Sequence, residues 1–68
     1  MNDEVFNLAV RQFLKKFGIT AQREIERGVE AAIATGRLKG AETLKARAVL
    51  RIEGLPEEIS VEGEIALE

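Results

Sequence analysis

The sequence predicts an α+β fold with the order helix–helix–strand–strand. Two N-terminal helices are expected to pack on one face of a C-terminal antiparallel β-hairpin. Three observations predict it: apolar residues recur at helical spacing from residue 3 to residue 35, the spacing changes to strict alternation from residue 43, and a segment containing Gly54 and Pro56 divides the alternating stretch in two. At 68 residues the chain is read as a single domain. Its helices are placed at about 3–17 and 21–35, and its strands at about 43–53 and 58–67.

The first helix rests on Phe6, Val10, Phe13 and Phe17. At about 100° per residue these lie within a stripe of about 60°, with Ala9 and Leu14 flanking it. Asn2 is the expected N-cap. Asp3 and Glu4 fall in the first turn, and Lys15 and Lys16 in the last, the signs that the helix macrodipole favours at each end. Leu8 points away from the stripe, either as a lone exposed leucine or as a contact to a second chain.

Gly18-Ile19-Thr20 reads as a break. Gly18 suits the left-handed position after a helix, and Thr20 suits the N-cap of the next. The second helix then places Ile25, Val29, Ala32 and Ile33 on one face, with Ala21 and Gly28 at its border. Gly28 weakens a helix interior unless something packs closely against it. Gly36 is the expected C-terminal stop.

After a polar connector (residues 37–43), Leu44, Ala46, Ala48, Leu50 and Ile52 alternate with more polar positions. Ile59, Val61, Gly63, Ile65 and Leu67 do the same on the far side of the turn. This is a hairpin with one apolar face. Two registers keep that face intact. One has a short Gly54–Glu57 loop and opposes Ala48 to Gly63, but it also sets Glu53 against Glu58. The other pairs Arg51 with Glu58, Arg47 with Glu62 and Lys45 with Glu64 at the cost of a longer loop.

Composition narrows the chemistry. The chain has no cysteine, histidine, tryptophan or tyrosine. Thiol catalysis, histidine bases, and the usual zinc, haem, copper and iron–sulfur ligand sets are thereby removed. No glycine pattern forms a phosphate-cradling loop, and no wrapped acidic loop provides a calcium site. The expectation is a non-enzyme with no catalytic, cofactor-binding or metal-binding residues and no cofactor. No apolar run is long enough for a membrane span, and no secretory signal opens the chain, so a cytoplasmic address is the default and no membrane partner is expected.

Net charge is −2, but it is segregated. Residues 37–53 carry five basic groups against two acidic ones, and residues 54–68 carry five glutamates and no base. A basic strand beside an acidic strand accounts for this.

A lone hairpin is marginal in water, and a chain of this size cannot bury a sizeable core without a staple. A homodimer is therefore expected, serving as an interaction module for a protein partner the sequence does not specify. Edge pairing of a strand with its own copy would set like charges together, so the helices, the sheet face or exchanged hairpins are the expected routes. Leu8, Phe17 and Ile19, near the helix corner, are the candidate interface residues, although Phe17 and Ile19 could equally seal the core of one chain.

The alternative is a winged helix-turn-helix that binds nucleic acid through the 21–35 helix. Gln22, Arg23 and Arg27 would face the groove, and Lys15 and Lys16 the phosphates. Glu24, Glu26 and Glu30 on that helix and the acidic last strand weigh against it.

The run FLKKFGITAQREIE (13–26), the connector GRLKG (36–40) and the ending EGEIALE (62–68) together resemble a family of small bacterial proteins of about this length, a domain of unknown function. The resemblance implies a stand-alone small protein and brings no activity, cofactor or site residue.

Overall fold

A computed structural model describes residues 1–68. The chain divides into two compact units, Met1–Arg37 and Leu38–Glu68.

The first unit is a single helix, α1 (Asp3–Ala34). Its 32 residues span about 48 Å at about 1.5 Å per residue. The expected pair of helices is therefore not formed, and with it goes the two-helix layer expected to cover the hairpin. The break expected at Gly18 does not occur, and Gly18 is not among the glycines with positive φ. Thr20, expected to cap a second helix, lies in the interior of α1, and Lys15 and Lys16 lie near its middle rather than in a last turn.

The physical reason is phase. Phe6, Phe17 and Gly28 follow one another at intervals of 11, as do Val10, Ala21 and Ala32, and Leu14 and Ile25. An eleven-residue repeat corresponds to about 3.67 residues per turn, close to the natural pitch of the helix, so the apolar stripe crosses Gly18 without a jump. A glycine in the interior costs about 1 kcal/mol relative to alanine. Ending the helix there would instead leave unpaired carbonyls on one side and unpaired N–H groups on the other.

The ends of α1 are built as expected. The Asn2 side chain accepts hydrogen bonds from the backbone N–H groups of Glu4 and Val5, each at 3.1 Å. At the other end Gly36 adopts φ +82°. The Gly36 N–H donates to the Ile33 carbonyl at 3.1 Å, and the Arg37 N–H donates to the Ala32 carbonyl at 2.9 Å. This is a Schellman ending, which needs a residue at ease in the left-handed region.

The second unit is the expected antiparallel hairpin, β1 (Thr43–Leu50) with β2 (Ile59–Ala66). Its register is the one with the longer loop: Ala46 faces Gly63, Lys45 faces Glu64 and Arg47 faces Glu62. Opposite charges thus lie side by side across the ladder, and the Glu53–Glu58 opposition of the other register is avoided. The strands are shorter than expected, because Arg51, Ile52 and Glu53 enter the loop. Within it the Leu55 N–H donates to the Ile52 carbonyl at 3.0 Å, with Gly54 at φ +90°. That is the turn position where a positive φ favours glycine. Beyond the other end of the ladder the Leu67 N–H donates to the Glu42 carbonyl at 2.9 Å.

Candidate interaction face

The feature of α1 that can act on another molecule is its apolar stripe. Phe6, Val10, Leu14, Phe17, Ala21, Ile25, Gly28 and Ala32 occupy an arc of about 100° along the whole helix. None of them is buried; exposure of the large members runs from 38% at Phe17 to 50% at Phe6. The stripe is graded in size. Phenylalanines fill its N-terminal half, whereas Ala21, Gly28 and Ala32 leave its C-terminal half shallow. A Cβ added to Gly28 would meet no atom within 4 Å. The chain itself therefore supplies no steric reason for a glycine that costs about 1 kcal/mol in a helix interior.

Continuity of α1 redistributes the residues expected at an interface. Phe17 lies on the stripe. Leu8 and Ile19 share a different face, because two residues of helix turn Ile19 about 160° away from Phe17. There is no helix corner to gather the three. Leu14, expected at the flank, and Ala21 and Gly28, expected at a border, are stripe members instead. The eleven-residue spacing across Gly18 is the signal that identifies them.

The residues proposed for nucleic acid, Lys15, Lys16, Gln22, Arg23 and Arg27, spread over an arc of about 140° on the polar side of one straight helix. No turn sets a recognition helix against a supporting one. Gln22 Nε2 donates to Glu26 Oε2 at 3.4 Å, and the Arg27 guanidinium lies 3.6 Å from the Glu24 carboxylate. Glutamates are thus interleaved with the basic groups.

In the hairpin, Leu44 opposite Ile65, Ala48 opposite Val61 and Leu50 opposite Ile59 make up the apolar face. The Ala46–Gly63 pair forms a low point between them. The opposite face carries the Lys45–Glu64 and Arg47–Glu62 pairs. Arg47 also donates to Ser60 Oγ at 3.3 Å.

The connector is organised by one carboxylate, which the sequence presents only as a charge. Glu42 Oε1 and Oε2 accept from the Lys39 N–H at 3.1 and 2.9 Å, and Oε1 also accepts from the N–H groups of Gly40 and Ala41 at 2.9 and 3.1 Å. These bonds favour the ionised form. The Lys39 N–H contributes most, against a smaller opposing effect of desolvation, so the Glu42 pKa lies below the ordinary glutamate value. Gly40 adopts φ +100° in this loop, a conformation suited to glycine.

No three carboxylates are gathered in a way that could hold a metal ion, and no helix is long and apolar enough to cross a membrane. What the structure offers is surface: a long apolar helical face and a small apolar sheet face.

These features define a small α+β protein built from one long helix and one antiparallel hairpin. The chain belongs to a family of unknown function, DUF6494, whose model matches residues 1–68. The expected membership in a family of unknown function is thereby borne out over the whole chain. Comparison with curated proteins found no match, and comparison with solved structures found none.

Proposed function

We propose that this protein is a non-enzymatic, homodimeric protein-interaction module of the cytoplasm, with the apolar stripe of α1 as its dimer contact. The observation that carries this reading is the stripe itself: an apolar face, with Glu24 at its edge, along a 32-residue helix in a chain with no buried residue. Isolated helices gain most of their stability in proteins by packing such a face. The hairpin's apolar face, centred on Ala46 and Gly63, is the second surface and is available to a further protein partner.

Sedimentation at micromolar concentration tests the reading. The expected mass is twice the 7.5 kDa of one chain. Phe17→Glu is expected to shift the mass toward the monomer, because it places a charge in the middle of the contact. Leu8→Glu, on a different face, is expected to leave the mass unchanged. A wild-type chain that sediments as a monomer overturns the proposal.

A further inference from the structure

We infer that the two copies pair through α1 in antiparallel orientation, with Phe17 of each copy seated over Ala21 of the other. The inference rests on the homodimer reading above and adds the partner, its direction and its register.

The stripe is complementary to itself only when reversed. Antiparallel pairing about the helix centre sets Phe6 opposite the partner's Ala32, Val10 opposite the partner's Gly28, and Phe17 opposite the partner's Ala21. Phe6, Val10 and Phe17 then each meet a small residue, which favours close packing at an interaxial distance of about 8–10 Å, while Ile25 lies against the partner's Phe13. A two-fold axis repeats each contact twice, which is the geometry of an isologous interface. Parallel pairing would instead set each phenylalanine on its own copy and face Gly28 with the partner's Gly28. One end would be crowded and the other left hollow.

Charge selects the same direction. Arg11, Lys15 and Lys16 lie within two turns of one another, and Asp3 and Glu4 lie together at the N-terminus. Parallel pairing brings each cluster beside its own copy. Antiparallel pairing brings Lys16 alongside the partner's Glu24 and opposes the two helix macrodipoles.

Area permits it. The helix alone presents a face about 48 Å long, and its large apolar members are 38–50% exposed. A standard interface needs about 800 Å² per partner.

The test uses the full chain, which has no native cysteine and accepts a single spin label at a chosen site. With Glu4→Cys labelled, antiparallel pairing is expected to give an inter-spin distance of about 45 Å or more, from the helical rise alone. With Gln22→Cys labelled, the two spins are expected to lie near the two-fold axis and to give a short distance. Short distances at both sites in a dimer overturn the antiparallel inference and leave the dimer reading standing. No inter-spin distance, together with a monomer mass, overturns both. Ala32→Phe is expected to weaken dimerisation at least tenfold by clashing with Phe6, and Phe6→Ala in the same chain is expected to restore it. Unchanged dimerisation in Ala32→Phe also overturns the inference.

Discussion

Arg51 Nε donates to Glu58 Oε2 at 2.8 Å, one step beyond the last ladder pair, Leu50 and Ile59. The contact closes the mouth of the hairpin loop and belongs to the same register as the Arg47–Glu62 and Lys45–Glu64 pairs. Both side chains are largely exposed, so the pair contributes modestly. Arg51→Ala is expected to destabilise the hairpin by less than about 1 kcal/mol. Reversing the charges at Arg47 and Glu62 together is expected to restore most of what either reversal loses alone. A double-mutant cycle on hairpin melting measures both effects, and additive losses would count against the register.

Gly18 and Gly36 are expected to respond to alanine with opposite signs. Gly18 sits in a helical interior where an added Cβ meets nothing within 4 Å, so Gly18→Ala is expected to stabilise α1 by about 1 kcal/mol. Gly36 holds φ +82°, so Gly36→Ala is expected to destabilise by about 1 kcal/mol or more. Thermal melts followed by circular dichroism distinguish the two. A destabilised Gly18→Ala would indicate that the helix ends there after all.

Glu42 links the connector to pH. Its pKa is lowered in the folded chain, so its contribution is complete above the ordinary glutamate range and is lost as pH falls through the lowered value. The amide resonances of Lys39, Gly40 and Ala41 are expected to shift together, with a midpoint below that of an unperturbed glutamate. Glu42→Gln is expected to abolish that shared titration. A midpoint at or above the ordinary value would contradict the hydrogen bonds described.

Duplex DNA is expected to show no gel shift at low salt. Glu24, Glu26 and Glu30 alternate with Arg23 and Arg27 along α1, and phosphate binding needs basic groups without such neighbours. A salt-sensitive shift that is lost on charge reversal at Arg23 and Arg27 would reinstate the nucleic-acid reading.

The sequence and the structure agree most closely where a signal is local and physically unambiguous. Alternation around Gly54 and Pro56 identifies the hairpin, Asn2 the helix start and Gly36 its end. Gly18 and Gly36 look alike to local reasoning, since each follows a helical run and precedes residues able to begin something new. They differ over a longer range: the stripe crosses Gly18 in phase and has no continuation beyond Gly36. The hairpin register is undetermined by the apolar pattern, because a shift of two residues preserves the face. Cross-strand charge separates the two choices. The role of Glu42 is invisible in sequence, because it depends on three backbone N–H groups turning toward one carboxylate.

The unbroken run of α1 has a further consequence for valency. Paired antiparallel, two helices of about 48 Å would release their connectors at opposite ends, so the two hairpins would be tethered from points that far apart. Such an assembly would present two hairpins instead of one. A target that repeats its docking sites within reach of both hairpins would gain avidity, whereas one that presents a single site would be held only by the affinity of one hairpin.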